Sequence, residues 1–345
     1  MISLKDRFVR LKNTLRLIRK ERKSSVSTSF WQKVFCYSRG FLSESYVIYN
    51  FKENNHKDYL SDYRRFVKTP FINTNFGYLI DNKFIFDLYF SNTIKSLGLI
   101  NSGLLFAKDE VKPLTTAINE LLSKGCSLVI KPLGGGGGFG ILFLKSTPSG
   151  NYINDESYSD ESLRSKLKDP KGYILYNHFN QLGFSNSFYP QALNTLRVVT
   201  MINPKTQEPF IPIAVHRFGT FKSGNVDNWS SGGLSAGIDV DTGKMGKAVA
   251  YLRKDKLEWQ SVHPDTGKQI EGVVIPNWLK VKEIILQTAR KTSMIPYVGW
   301  DVVLSNDDVF ILEANTNSDV NLLQVHKPLL TIPGVREFFK SKGVL

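Results

Sequence analysis

Cysteine is nearly absent from this 345-residue chain: only Cys36 and Cys126 occur, both in apolar surroundings. That excludes a disulfide scaffold and a Cys-based zinc site, and it suits a reducing compartment. Long apolar runs are missing too. No stretch approaches the ~18 residues needed to span a bilayer as a helix. The N-terminus shows neither the apolar stretch nor the small-residue cleavage site of a signal peptide, so a cytoplasmic location is expected. Acidic residues are outnumbered, with 31 Asp and Glu against 45 Lys and Arg, a net charge of +14. Residues 1–23 hold nine Lys and Arg against Asp6 and Glu21, which is half of the excess. The remainder forms no single cluster, so no nucleic-acid partner is expected. A content of 41% hydrophobic and 22% charged residues is that of a globular protein, here long enough for two or three lobes.

In the basic segment Leu4, Phe8, Leu11, Leu15 and Ile18 recur at helical spacing, with Lys and Arg over the remaining surface. Such a helix can lie on an anionic membrane at its inner face, or pack its stripe on the protein with the charges solvated. A serine-rich linker follows at residues 24–29. Residues 30–98 are rich in aromatics and read as mostly helical, ending in a helix capped by Asp81 that carries Lys83 and runs to Gly98. Beyond them strands and helices mix without regular alternation, which predicts an α+β fold of several small lobes.

The segment Leu128-Val129-Ile130-Lys131-Pro132-Leu133, followed by Gly134 to Gly138, Phe139 and Gly140, carries the strongest chemical signal. It sets one lysine before a loop almost without side chains, which can lay backbone N–H groups around a polyphosphate. Gly135, Gly137 and Gly140 match a dinucleotide fingerprint in form, but that fingerprint needs a helix next, and Ile141-Leu142-Phe143-Leu144 reads as a return strand. A Walker A loop is excluded because no Gly-Lys-[Ser/Thr] ends the run. The loop is therefore expected to be a flap over a nucleotide.

A second signal lies in Val298-Gly299-Trp300-Asp301 and in Glu313-Ala314-Asn315, two strands joined by Asn306-Asp307-Asp308. A three-residue loop would set Asp301 opposite Glu313, with Asn315 on the same face. Two carboxylates ~5 Å apart in apolar surroundings call for a cation, and hard oxygen ligands suit magnesium. The alternative is a hairpin whose acids face solvent; a register slip of one residue would part the two acids.

The order of these pieces resembles the ATP-grasp superfamily, and more narrowly the sugar-transfer-associated ATP-grasp proteins of bacterial surface-polysaccharide clusters. The narrower likeness rests on Asn194-Thr195-Leu196-Arg197, Asp227-Asn228 with Gly232-Gly233, His263-Pro264-Asp265-Thr266-Gly267, Ile275-Pro276-Asn277-Trp278, Val298-Gly299-Trp300-Asp301, and Glu313-Ala314-Asn315 ending in Leu323-Gln324. Together they span residues 80–325. The resemblance implies an ATP-grasp fold that holds its nucleotide between two α+β lobes. It divides the chain into a basic helix (1–24), a mostly helical region like a degenerate pre-ATP-grasp part (25–98), a small lobe with the glycine flap (99–178) and a large lobe with the metal-binding hairpin (179–345).

The resemblance also implies roles. Lys131 and Lys83 would hold ATP phosphates, and Gly135, Gly136, Gly137, Gly138 and Gly140 would close over them. Backbone atoms of Leu175, Tyr176 and Asn177 would read adenine, in a stretch that lacks the acidic residue usual near the adenosine. Asp301, Glu313 and Asn315 would bind one or two Mg²⁺ ions. Arg197 and Arg217 would act with Lys131 in catalysis, stabilising charge on the transferring phosphoryl group; a salt bridge to a strand neighbour is the alternative for either arginine. His178, His216 and His263 read as packing residues. The implied activity is an ATP-dependent carboxylate–amine ligase working through an acyl phosphate, on small-molecule or glycan-linked carboxylates and amines. The alternative is a phosphotransferase acting on a hydroxyl, which would need a general base such as Asp227 or Asp319.

Overall fold

The computed structural model describes residues 4–24, 26–134, 138–169, 172–252 and 256–345. The chain divides into two units, one of residues 1–77, 182–309 and 314–345, the other of 78–181 and 310–313.

The second unit is built on an eight-stranded sheet, β1 (Gly98–Asn101), β2 (Leu104–Phe106), β3 (Val111–Pro113), β4 (Leu128–Pro132), β5 (Leu142–Thr147), β6 (Gly150–Ile153), β7 (Glu156–Ser157) and β8 (Tyr173–Asn177). The spatial order is β3-β2-β1-β8-β4-β5-β6-β7. The apolar runs before and after the glycines do pair antiparallel, with Leu128 opposite Leu144 and Ile130 opposite Leu142. One sheet face is covered by the helix Leu114–Ser123, whose Ala117, Ile118 and Leu122 join Leu128, Ile130 and Leu175 in one core. Pro113 opens that helix and Gly125, at φ +75°, follows it, an arrangement that needs no Cβ at the left-handed position. The other face carries a smaller cluster of Val129, Ile174 and Tyr176.

The helix bearing Lys83 starts one residue later than expected and is shorter. It spans Lys83–Tyr89, and the side chain of Asn82, not Asp81, accepts from the N–H groups of Phe84 and Ile85. Asp81 ends the preceding turn of helix, Tyr78–Asp81. Both residues are good caps, so composition alone could not choose between them.

In the first unit the strands are β9 (Thr195–Ile202), β10 (Pro209–Phe210), β11 (Ala214–Phe218), β12 (Leu234–Ile238), β13 (Met245–Ala250), β14 (Trp259–Gln260), β15 (Tyr297–Ser305) and β16 (Asp308–Asn315). Their order is β14-β13-β12-β11-β9-β15-β16, with β10 on the end of β9. The central strand β9 is buried at all its positions, and its polar Thr195, Arg197 and Thr200 are each satisfied by side-chain hydrogen bonds. Residues 310–313 of β16 group with the second unit, where Ile311 bridges Thr93.

The helices α1 (Leu4–Arg22) and α2 (Phe30–Tyr37) precede this sheet. The aromatics that follow fill its core: Phe41, Tyr49, Phe51 and Tyr59 pack with Val199, Met201, Tyr297, Phe338 and Phe339. Each large side chain so buried contributes ~1.5–3 kcal/mol. Gln324 fastens this packing, with its amide donating to the carbonyl of Leu60 (3.0 Å) and to the hydroxyl of Tyr49 (2.8 Å) while its oxygen accepts from Leu60 N (2.9 Å). No helix among the described residues is long and apolar enough to cross a membrane.

Candidate functional site

In the first unit the chemistry gathers on one face of three adjacent strands, β11, β9 and β15. Arg197 lies directly opposite Asp301 in the antiparallel pairing of β9 with β15. The guanidinium grips the carboxylate with two nitrogens, Nε to Oδ1 and Nη2 to Oδ2, and its Nη1 donates to Ser318 Oγ at 3.1 Å. Arg217 adds a third N–H to the same carboxylate, Nη2 to Oδ2 at 3.0 Å. Its Nε and Nη2 also donate to Thr195 Oγ1 at 3.0 and 2.5 Å, and its Nε stands 3.4 Å from Asp227. Asp227 in turn accepts from Thr195 N (3.0 Å) and Thr195 Oγ1 (2.6 Å). Burial pushes the Asp227 carboxyl upward, and Arg217 together with the Thr195 bonds pulls it back only in part.

Two glycines make this packing possible. A Cβ on Gly299 would stand 2.6 Å from Ser318 Oγ and 2.7 Å from Ser318 Cβ, so its absence lets that hydroxyl reach Arg197. A Cβ on Gly233 would meet the carbonyls of Phe218, Asn228 and Asp227 within 2.9 Å. The loop holding Asp227 can thus close tightly on β11.

Arg65 approaches the same neighbourhood from a short π-helical segment, Arg64–Lys68, with its Nη2 3.4 Å from Asp319 Oδ1. Burial tends to raise the Asp319 carboxyl, but Arg65, Lys20, a bond from Asn321 N and Arg197 together bring it below the usual range. Neither Arg65 nor Ser318 stood out in the sequence; the polar run Asn315-Thr316-Asn317-Ser318-Asp319 directly after a buried strand was the available signal.

In the second unit the candidate residues meet on the sheet face opposite the helix Leu114–Ser123. Val129 pairs with Tyr176, and Lys131, two residues on, sets its ammonium over the Tyr176 ring at 5.2 Å. Lys83 lies 4.0 Å from Glu313. Asp87, four residues after Lys83 on its helix, accepts from Ser96 N at 2.8 Å and bonds to the Tyr176 hydroxyl. Burial raises the Asp87 carboxyl, and burial with nearby Asp87 and Glu313 drives the Tyr176 phenol up as well. Asp87 escaped the sequence reading, although its spacing from Lys83 is that of one helix face.

The pairing of β1 with β8 ends at Gly98 and Leu175, so Tyr176 and Asn177 run on past β1. Leu175 is buried, and its carbonyl accepts from Leu97 N at 2.7 Å. Gly138 and Gly140 stand at φ +83° and +74°, and a Cβ on Gly140 would press on Pro132 at 3.0 Å. Gly135, Gly136 and Gly137 lie outside the described residues.

For magnesium the fit differs among the three proposed ligands. Of the ~four acceptor sites on an ionised carboxylate, Asp301 gives at least three to guanidinium N–H groups. An ion at Asp301 would share that carboxylate with two cations, an arrangement that needs phosphate oxygens to balance it. Asn315 donates from Nδ2 to the Gly299 carbonyl at 3.4 Å, so of its two amide atoms Oδ1 is the acceptor. Glu313 belongs to the second unit, where it lies 4.0 Å from Lys83. Among the described residues no cluster of three His, Cys, Asp or Glu side chains forms a metal site by itself.

The histidines serve packing. His216 is buried between Ser185 and the Arg217 carbonyl and stacks on Phe218 at 4.1 Å, and burial draws its pKa down to about 3. His263 Nε2 donates to the Gly219 carbonyl at 2.8 Å. Burial lowers His178 too, and its ring sits 6.5 Å from Phe143.

The sequence profile of the sugar-transfer associated ATP-grasp family matches residues 64–331. No curated protein matches the chain. Among solved structures the chain is similar to D-alanine–D-alanine ligase from Helicobacter pylori, with 12% identity over 75% of this chain and 61% of that one and a TM-score of 0.39. It is similar also to N5-carboxyaminoimidazole ribonucleotide synthetase from Thermotoga maritima (13%, 69% and 42%, 0.34) and to D-cycloserine synthetase DcsG (10%, 74% and 70%, 0.37). The chain covers less than two thirds of the length of the first two.

Proposed function

The chain belongs to the sugar-transfer associated ATP-grasp family, and on that footing we propose that it is a cytoplasmic ATP-dependent carboxylate–amine ligase. Its substrates would be a carboxylate and an amine, one of them a sugar acid or amino acid of a surface-polysaccharide precursor. A carboxylate resists attack by an amine because oxide would have to leave. Transfer of the ATP γ-phosphoryl group to a carboxylate oxygen releases ADP and gives an acyl phosphate. The amine then attacks the carbonyl carbon, phosphate leaves with the C–O bonding pair, and the nitrogen loses a proton.

No protein nucleophile is required, so the enzyme's task is positioning and charge neutralisation. Lys131 and Lys83 would hold phosphate oxygens, with Gly135, Gly136, Gly137, Gly138 and Gly140 closing over them and excluding water from the acyl phosphate. Backbone atoms of Tyr176 and Asn177, which run on past β1, would take the adenine; the Leu175 backbone, expected to share that role, is committed to its neighbours in the sheet. Magnesium, when bound by Glu313, Asn315 and a shared Asp301, would supply further charge neutralisation on the phosphates. Arg197 and Arg217 would face the transferring group.

The observation that carries the reading is the family match over residues 64–331, with Lys131 on the sheet face of Tyr176 in the second unit. The bridges of Arg197 and Arg217 to Asp301 are the salt bridges named as the alternative, and in this reading they also hold the two guanidiniums in place. Donors fixed before charge develops need no reorganisation when it does. The phosphotransferase alternative needs a base. Asp227 is committed to Thr195 and Arg217, which leaves Asp319, a partly exposed carboxylate held in its charged form, as the position for that role. Incubation with ATP, Mg²⁺, hydroxylamine and a panel of uronic and amino acids separates the two. Hydroxamate is the expected product. ADP with a stable phosphorylated product would favour the kinase, and no ADP with any acceptor would remove both.

A further inference from the structure

The helix α1 is mounted with its polar side inward. Glu21 accepts from the Ser43 N–H (3.0 Å), the Ser43 hydroxyl (2.6 Å) and the Tyr37 hydroxyl (2.7 Å), and Lys20 meets the buried Glu44 at 2.7 Å. Arg10 and Lys20 lie over the rings of Phe71 and Phe66. The apolar stripe is turned the other way: Leu4, Phe8, Leu11, Leu15 and Ile18 are 44–84% exposed. A surface helix of a globular protein ordinarily does the reverse, because five large apolar side chains in water forfeit the burial that makes such a helix stable. The stripe therefore has a destination outside this chain's own core.

Charge identifies it. The exposed stripe is accompanied by exposed Arg7, Lys12, Arg16 and Arg19, and the whole segment of residues 1–23 carries nine Lys and Arg against two acids. Stacking a second copy on this face would set like charges together, whereas an anionic surface would neutralise them. We propose that the outward face of α1 docks on an anionic lipid bilayer, with the helix lying in the interface, its stripe at the acyl boundary and its basic side chains among headgroup phosphates. The next helix, tied to α1 through Tyr37 and Glu21, exposes Phe30 and Trp31, aromatic side chains of the kind that settle at a bilayer interface. Docking does not rest on the ligase reading, since it can be measured without nucleotide.

Deletion of α1 is an unsuitable test, because it would take from the buried Glu44 its cationic partner Lys20 and from Ser43 its acceptor Glu21. Outward-facing substitutions leave those bonds alone. The full chain should sediment with vesicles of phosphatidylglycerol and phosphatidylcholine and not with phosphatidylcholine alone. The triple variant Phe8→Ser, Leu11→Ser, Leu15→Ser, with an unchanged unfolding midpoint, should partition at least about tenfold less, and so should Lys12→Glu with Arg16→Glu. Undiminished binding by the triple variant would reduce the effect to diffuse charge and overturn the proposal. So would absence of vesicle binding alongside a concentration-dependent dimer that the same substitutions abolish, which would assign the stripe to a second copy.

Discussion

Arg197 and Arg217 depend on one carboxylate. Replacing Asp301 by Asn would leave the buried Arg197 and the half-buried Arg217 without their shared counter-charge, and loss of one partner of a buried ion pair costs ~3–5 kcal/mol. Chemical denaturation of Asp301→Asn should show a loss of that order; a midpoint like that of the native chain would mean that the arginines find another anion. Arg217→Lys keeps the charge but loses the fork that reaches Thr195 and Asp301 together, so ADP formation should fall ~10²–10³-fold with little change in the unfolding midpoint. Full activity in that variant would take Arg217 out of the reaction. Arg197, Arg217 and Asp301 were each legible as candidates, but their mutual bond was not. Arg197 and Asp301 are 104 positions apart, and only the strand register brings them together. The salt bridge weighed for either arginine and the cation expected at Asp301 therefore meet at one group. Gly299 was read as part of a motif, yet its reason is steric and lies in Ser318, which no spacing rule connects to it.

At the scale of elements, period and turn chemistry carried far. The strands around the glycines, the helix after Pro113, the helix Trp278–Lys291 and the final pair β15 and β16 follow from apolar runs bounded by Gly, Pro, Asn and Asp. Helix ends were less legible, as Asp81 and Asn82 show. The two-residue separation of β15 from β16 is shorter than the three-residue loop expected, and burial along β16 changes phase between Ile311 and Ala314. Several motif residues join elements to one another. Asn194 gathers the carbonyls of Ser185, Tyr189 and Ala192, and Gln324 ties Leu60 and Tyr49 to the C-terminal part of the chain. Gln324→Leu would strip the buried Leu60 N–H and carbonyl of the Gln324 bonds, at ~1–3 kcal/mol for each, while the Tyr49 hydroxyl keeps its bond to Asn321. The Leu60 amide should then exchange its hydrogen faster; protection equal to that of the native chain would show that Gln324 is dispensable to this joint.

Across the whole molecule, buried ionisable groups set how stability responds to acid. His216 titrates in the fold at about 3, against ~6.5 for a free imidazole. Burial is the main cause; the bond to the Arg217 carbonyl works against it, and the Arg217 charge works with it to a smaller extent. Between those values the unfolded chain takes up a proton that the folded chain refuses, so His216 contributes stability in full above pH ~6.5 and loses it as pH falls. By pH ~5 the loss is about 2 kcal/mol for this one ring. Burial also lowers His326 to about 3 and depresses His178, both with the same sign. Asp62, Asp87 and Asp227 act oppositely, because burial raises their folded values and makes the folded chain the better proton acceptor. The two sets of groups thus oppose one another as pH falls, and removing one imidazole isolates its share. Relative to the native chain, His216→Gln should gain stability as pH falls from 7.5 to 5, whatever it does to stability at neutral pH. A variant with the native slope would show that the His216 ring accepts its proton inside the fold as readily as outside it.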